Sequence, residues 1–163
     1  MKKLTLIRHA KSSWEGNLDD FDRPLSVRGY KDLDRMVREV KEYNLTLDLV
    51  LSSPANRAQT TARHFVEHLQ ISSEKFTLNQ SLYDFSGQKL IETIRNVNQN
   101  VEHLMVFGHN HAITYFVNAF GSQYIDNVPT CGLVTIEFQT TKWKEISKGK
   151  TTRVLFPKNL RPD

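Results

Sequence analysis

Short runs of apolar and β-branched residues alternate along the chain with longer stretches in which apolar residues recur every three or four positions. The first pattern predicts strands and the second predicts amphipathic helices. Because helices separate most successive strands, the connections are crossovers, and crossovers join parallel strands. We therefore predict an α/β fold of three αβα layers, with a mainly parallel central sheet covered by helices on both faces.

The same pattern gives bounds for these elements. Ser53 before Pro54 is typical of a helix start, because serine can cap a helix and proline suits its first position. In the first helix, Tyr30, Leu33 and Val37 fall on one face. The predicted strands are residues 4–7, 47–51, 76–78, 104–107, 133–138 and 153–156, and the predicted helices are residues 26–43, 54–69, 86–97 and 111–120.

The length of 163 residues suits one domain with its own hydrophobic core, and we predict a single domain over residues 1–163. No apolar run approaches the roughly 18 residues that span a bilayer, so no membrane partner is expected. The single cysteine, Cys131, cannot form an internal disulfide. A soluble protein of the reducing cytoplasm is the expected class.

The net charge of +4 comes mainly from the end of the chain, because residues 142–163 carry seven basic and two acidic side chains. This concentration predicts a solvated, poorly ordered basic tail from about residue 142. The rest of the chain is close to neutral, and it lacks the interleaved aromatic and basic residues typical of nucleic-acid binding. We therefore predict no nucleic-acid partner.

Residues suited to holding a phosphate group follow three of the predicted strands. Arg8 and His9 follow the first strand, Arg57 lies just after the second, and Gly108 and His109 follow the fourth. Ligands bind beyond the carboxyl ends of parallel strands, where loops and helix N-termini present polar groups. We expect these residues to meet in one site.

The chemistry of phosphoryl transfer requires this combination of residues. Arg8 and Arg57 can bind the phosphoryl oxygens through paired N–H groups, and His109 can bond to the same oxygens. A neutral His9 can attack phosphorus and form a phosphohistidine that water then hydrolyses. Gly108 would let the backbone approach closely. No metal or other cofactor is needed for this chemistry.

Two groups of motifs carry a resemblance to known proteins. Residues 8–11 (Arg-His-Ala-Lys), the segment 52–62 around Arg57, and Gly108-His109 resemble the histidine phosphatase superfamily, which includes phosphoglycerate mutases and acid phosphatases. Residues 22–29 and 82–84 are similar to the short SixA-type phosphohistidine phosphatases. This resemblance covers nearly the whole chain and implies a phosphoglycerate mutase-like fold.

The resemblance also implies roles for individual residues. It makes His9 the phosphoacceptor and makes Arg8, Arg57 and His109 phosphate ligands, with Arg23 as a further arginine of the pocket. For Arg23, the alternative is a loop residue that leads into the capped helix at residue 26.

One departure from the superfamily bears on the substrate. Many of its phosphatases and mutases carry a glutamate as general acid in the region where this chain has Gln80 and Ser81. Esters need a proton donor to expel an alkoxide, whereas imidazole, with a conjugate-acid pKa of about 6.5, leaves more readily. The gap favours phosphohistidine in a protein, such as a phosphorelay-type partner, as the substrate. The aspartates that remain candidate acids are Asp84, Asp22, Asp19 and Asp20.

Three alternatives remain open. A small-molecule phosphomonoesterase would use the same histidine and arginines, and a phosphate-binding module would use them without turnover. A metal site at His109 and His111 is the third, but this pair lacks nearby cysteine or acidic ligands. His64 and His68 have helical spacing and are predicted to be surface residues.

Overall fold

The computed structural model describes residues 1–162, and it contains a six-stranded sheet and four α-helices. The strands are β1 (Lys2–Arg8), β2 (Leu49–Ser52), β3 (Phe76–Leu78), β4 (His103–Gly108), β5 (Leu133–Phe138) and β6 (Lys150–Leu155). The helices are α1 (Val27–Lys41), α2 (Asn56–His68), α3 (Gln88–Arg95) and α4 (Ala112–Phe120).

The strand order in the sheet is β3-β2-β4-β1-β5-β6. The first four strands in this order are mutually parallel, β5 is antiparallel to β1, and β6 is antiparallel to β5. No α-helix lies between β5 and β6 along the chain, so these two strands can pair antiparallel. The predicted, mainly parallel sheet is confirmed, and β2, β4 and β1 end side by side at one edge.

Alternate strand residues pack into two separate cores. Leu4 and Leu6 of β1 join a cluster with residues of α3 and α4, whereas Ile7 joins a cluster with residues of α1 and α2. Side chains alternate between the faces of a strand, so each face of the sheet is covered by its own pair of helices. This arrangement confirms the predicted three-layer fold.

Helix α1 begins where it is predicted to begin, because the Ser26 side chain accepts a hydrogen bond from the Gly29 N–H at 3.0 Å. The predicted inward position of Tyr30 is wrong, since its side chain is 43% exposed. Gly29 is buried in this turn instead, and a Cβ placed there would lie 2.1 Å from the carbonyl oxygen of Lys11. Glycine therefore lets the loop after β1 pack directly on the helix backbone.

Helix α2 begins at Asn56, two residues later than predicted. Ser53 is not its N-cap, because Ala55 precedes the first helical residue. The Ser53 hydroxyl instead accepts from the Ala55 N–H at 3.2 Å and contacts His109. The Ser-Pro pattern predicts a helix cap at Ser53. In the structure this serine instead joins the loop after β2 to the loop after β4.

The prediction of a poorly ordered basic tail is wrong for residues 142–162. Lys150–Leu155 form edge strand β6, and Trp143 is fully buried in the core on the α3 and α4 side. Arg161 forms an ion pair of 2.7 Å with the buried carboxylate of Asp32. Basic side chains are common on edge strands because they discourage pairing with other chains. Asp163 lies outside the described residues.

Within residues 1–162, no helix combines the length and the apolar character needed to cross a membrane.

Candidate active site

The carboxyl ends of β1, β2 and β4 bring the predicted site residues together. Arg8 ends β1 and His9 follows it, Arg57 lies in the first turn of α2, and His109 follows β4. The His9 and His109 rings lie with their centroids 5.3 Å apart. His9, Arg57 and His109 are buried, and Arg8 is half-buried.

The surroundings of His9 define its tautomer. Its Nδ1 lies 2.7 Å from the carbonyl oxygen of Ala10, and a carbonyl can only accept. Nδ1 therefore carries the hydrogen, and Nε2 keeps the lone pair. Burial lowers the pKa of His9 to about 3, and the nearby charges of Arg57 and Arg8 act in the same direction. The imidazole is thus neutral at neutral pH.

Helix α2 holds the backbone beside His9 in place. The Ala10 N–H donates to the Thr61 hydroxyl at 3.0 Å, and that hydroxyl donates to the carbonyl of Arg57 at 2.7 Å. On the other side, the Cys131 N–H lies 3.0 Å from the carbonyl oxygens of both Arg8 and His9. Thr61 lies in the motif of residues 52–62, and the structure gives it a direct contact with the residue that follows His9.

Two guanidinium groups make the site electropositive. Arg8 donates from Nη1 to the carbonyl of Val128 at 3.0 Å, and its buried Nε has no hydrogen-bond partner among residues 1–162. Burial and the charge of Arg57 lower the pKa of Arg8. A guanidinium group carries a positive charge in proteins. An anion placed here would interact with both charges.

His109 presents one unused ring nitrogen. Its Nε2 lies 2.8 Å from the Ser53 hydroxyl, whereas its buried Nδ1 has no partner in the described part of the chain. The Ser53 oxygen already accepts from Ala55, so its hydrogen can be donated to Nε2 of His109. Nδ1–H is then a free donor. Burial, followed by the charge of Arg57, lowers the pKa of His109 to about 3.

Gly108 contributes through its backbone, since its carbonyl accepts from the His9 N–H at 3.1 Å. A Cβ at this position would meet Ile113 at an ordinary contact distance of 3.7 Å. Packing within the protein therefore does not require a glycine here.

Asp20 is the acidic group of the site. Its carboxylate accepts from Arg57 Nη2 at 2.9 Å, from the Tyr83 hydroxyl at 2.6 Å and from Arg23 Nη1 at 3.2 Å. Partial burial opposes ionisation, but the bonds from Tyr83 and Arg57 and the charge of Arg57 hold the pKa of Asp20 down to about 2. The sequence suggested Asp20 only as one of several candidate acids.

Arg23 holds the loop that follows β1. Its Nε donates to the Ser13 carbonyl at 3.1 Å, its Nη2 donates to the Ser12 hydroxyl at 2.6 Å, and its guanidinium lies 3.2 Å from the Trp14 ring centroid. Its Nη1 reaches the carboxylate of Asp20. These contacts place Arg23 within the loop, and in the described part of the chain its hydrogen bond to Asp20 links it to Arg57. A role of Arg23 in the pocket stays a prediction.

The geometry does not favour Asp84 as a proton donor. The Asp84 carboxylate accepts from the N–H groups of Ser86, Gly87 and Leu90 at the start of α3, and these bonds outweigh its burial and lower its pKa. Asp84 is therefore an ionised helix cap. Asp22 is exposed in the short turn that precedes Arg23, and its role as an acid stays a prediction.

Aromatic rings form a wall beside His109, with a face open to solvent. The rings of Phe21 and Tyr83 are 5.4 Å apart, and those of Tyr83 and Phe85 are 5.2 Å apart. Tyr83 and Phe85 lie 5.3 Å and 5.0 Å from the His109 ring. An apolar or aromatic group attached to a phosphate could pack there.

The other histidines have different surroundings, although the His111 N–H donates to the carbonyl of Phe85 at 3.0 Å. His111 directly precedes α4, and His64 and His68 stack on each other along α2 with ring centroids 4.9 Å apart. In the described range 1–162, no three His, Cys, Asp or Glu side chains are grouped so that they could hold a metal ion.

A buried neutral histidine between two arginines, at the carboxyl edge of a parallel sheet, defines a class of phosphoryl-transfer proteins. The chain belongs to the histidine phosphatase superfamily, since the model of branch 1 of that superfamily matches residues 4–87. The matched part contains Arg8, His9 and Arg57, whereas His109 comes from the second half of the chain. The chain is therefore an enzyme of the phosphatase class with a phosphoglycerate mutase-like fold.

Comparisons with individual proteins give one relative over most of the chain and two similar folds. An uncharacterized protein of Mycobacterium tuberculosis is 26% identical over 160 residues, which cover 92% of this chain and 98% of the relative. The structure of the protein histidine phosphatase SixA complexed with tungstate superposes with a TM-score of 0.81 at 20% identity, covering 98% of this chain and 99% of the other. A phosphoserine phosphatase of Entamoeba histolytica superposes with a TM-score of 0.67 at 16% identity, covering 99% and 100%. The two structural likenesses establish the fold.

Proposed function

We propose that this enzyme removes phosphate from phosphohistidine in a partner protein, through a covalent phosphohistidine on His9. The observation that carries the proposal is the state of His9, which is neutral, has its Nδ1–H bonded to Ala10 and keeps a lone pair on Nε2. The lone pair on Nε2 can attack phosphorus. The guanidinium groups of Arg8 and Arg57 can neutralise the negative charge of the phosphoryl group during its transfer.

The reaction proceeds in two steps. In the first, Nε2 of His9 forms a bond to phosphorus while the bond from phosphorus to the leaving nitrogen breaks. The substrate imidazole, which has taken a proton from water on its other ring nitrogen, departs as a neutral group. Arg8, Arg57 and the Nδ1–H of His109 hold the equatorial oxygens. In the second step, water attacks phosphorus, the bond to His9 breaks, and inorganic phosphate leaves. His9 returns to its neutral state.

The substrate class is inferred from the ionised state of the aspartates near the site, because an ionised carboxylate has no proton to donate. Asp84 caps a helix, Asp20 has a pKa of about 2, and Gln80 and Ser81 lie where many relatives of the superfamily carry a glutamate. A P–N bond to imidazole needs less help from an acid than a P–O bond. Tungstate is a tetrahedral oxyanion like phosphate, so its binding by the structurally similar SixA also supports an oxyanion site here.

The test is phosphate release by the purified protein from a phosphohistidine peptide and from p-nitrophenyl phosphate, in buffer containing a chelator. We expect metal-independent release from phosphohistidine, strongly preferred over the ester, and loss of release in His9→Ala. His68→Ala serves as the control, because His68 is an exposed histidine of α2.

Other outcomes would replace this proposal. Equal or better hydrolysis of the ester would indicate a small-molecule phosphomonoesterase, the class of the phosphoserine phosphatase that shares this fold. Release from neither compound, together with phosphate binding, would indicate a binding module. Full activity in His9→Ala would contradict the nucleophile. We expect the enzyme in the cytoplasm, where Cys131 stays reduced.

A further inference from the structure

The two terminal nitrogens of Arg57 are both bonded to one residue of a surface loop. Nη1 donates to the backbone carbonyl of Asp20 at 2.6 Å, and Nη2 donates to its carboxylate at 2.9 Å. Arginine binds an oxyanion through two such terminal N–H groups. In Arg57 one of these groups is bonded to a carbonyl and the other to a carboxylate, so both would have to exchange partners, at least in part, to hold a phosphate.

The Asp20 carboxylate belongs to the charged surroundings of the reacting histidines. Its charge and that of Arg57 act in opposite directions on the pKa of His109. Tyr83, which donates to the same carboxylate, has its ring 5.3 Å from the His109 ring. The ion pair between Asp20 and Arg57 is thus part of the site.

The position of Asp20 also allows its carboxylate to be displaced. Its side chain is 45% exposed, and the short turn Asp20–Asp22 contains no buried residue. The loop is anchored on both sides of this turn, by the bridge between Ser12 and Leu25 and by the bonds of Arg23 to Ser12 and Ser13. Arg23 Nη1 can keep its bond to Asp20 after Arg57 is released.

We propose that Asp20 determines specificity by competing internally for Arg57, so that a phosphoryl dianion displaces it and a carboxylate does not. An external carboxylate carries the same charge as Asp20 and would gain no attraction by replacing it. A phosphoryl group carries up to two charges and three oxygens, and it also reaches Arg8 and the Nδ1–H of His109. The site therefore rejects acidic side chains and carboxylate metabolites.

This inference rests on the phosphate site of the proposed function, but it is tested by binding instead of turnover. The variant is Asp20→Asn, which keeps the size of the side chain and removes its charge. Binding of inorganic phosphate and of acetate is measured by calorimetry on the full chain. We expect phosphate to bind about tenfold or more tightly to the variant than to the wild type, and acetate to bind measurably only to the variant.

The control is Glu15→Gln, which removes one negative charge from an exposed residue of the same loop. It should leave both affinities unchanged, whereas an equal gain in phosphate affinity would indicate only a change in net charge. Circular dichroism checks that both variants are folded.

Two results would overturn the inference. Weaker phosphate binding in Asp20→Asn, or unchanged binding together with unchanged kcat, would make the ion pair purely structural. Unchanged phosphate affinity with a large fall in kcat would make Asp20 a proton donor. If the variant gains affinity but the wild type hydrolyses no phosphohistidine, the proposed function fails and the competition by Asp20 stands.

Discussion

At the scale of single residues, the site depends on which ring nitrogen carries a hydrogen. Carbonyl and hydroxyl partners set this state for His9 and His109, through Ala10 and Ser53. The sequence could predict the two histidines, because both follow strands that end at the same sheet edge. It could not predict their partners, since a contact such as that of Ser53 with His109 joins two loops 56 positions apart.

Ser53→Ala should impair the enzyme without unfolding it. Without the hydroxyl, Nε2 of His109 loses its partner, and the free hydrogen is no longer fixed on Nδ1. We expect kcat for phosphohistidine to fall by about 10- to 100-fold, which corresponds to the loss of one buried hydrogen bond. The ¹⁵N chemical shifts of His109 should report the changed tautomer. Ser52→Ala is the matched control, because the Ser52 hydroxyl bonds to a backbone carbonyl; an equal loss there would contradict this role of Ser53.

Cys131 should not react in the folded protein. Its side chain is fully buried, and burial raises the pKa of the thiol far above the usual range. We expect no alkylation by iodoacetamide at pH 8 under native conditions and complete alkylation in denaturant, measured by mass spectrometry. Rapid native labelling would show that the segment beside His9 opens readily.

At the scale of elements, the loop after β1 is positioned by a contact that sequence patterns do not reveal. Helical periodicity correctly predicted α1, yet it placed Tyr30 on the inner face, where the structure has Gly29 against the backbone of Lys11. Such a contact depends on how a distant loop packs. The predicted strand at residues 153–156 overlaps β6, but the tail predicted around it is wrong, because an exposed edge strand and a solvated tail have similar composition.

Gly29→Ala should displace this loop. The added Cβ would lie 2.1 Å from the Lys11 carbonyl oxygen, and backbone cannot move aside as a flexible side chain can. We expect a loss of about 1–3 kcal/mol in the free energy of unfolding, measured with urea, together with reduced phosphohistidine hydrolysis. Val27→Ala, at an exposed position of the same helix, should change neither quantity much. Wild-type stability in Gly29→Ala would show that the loop is not packed as described.

At the scale of the whole molecule, three buried histidines make stability depend on pH. Burial lowers the pKa of His9 and His109 to about 3 and that of His103 to about 4. In the unfolded chain a histidine titrates near 6.5, so between these values the unfolded state binds more protons. Stability is therefore fully present above pH 6.5 and is lost progressively as the pH falls toward 4.

His103 allows this effect to be measured away from the active site, because it begins β4 at the opposite edge of the sheet. His103→Gln should make the free energy of unfolding less dependent on pH, by up to about 1.4 kcal/mol per pH unit between pH 6 and pH 4.5. Urea unfolding of variant and wild type at several pH values measures the difference. Identical slopes would show that His103 is not held neutral by the fold.

The sheet order has a consequence for how the protein acquires its site during synthesis. β1 and β2 have no ladder between them, because β4 lies in the middle and pairs Leu4 of β1 with Leu104. A growing chain that ends before β4 contains Arg8, His9 and Arg57, but it lacks the strand that lies between β1 and β2. Loop closure over about a hundred residues must come first, which favours slow folding. Arg8 and His9 should therefore remain separate from Arg57 on the ribosome until β4 has emerged.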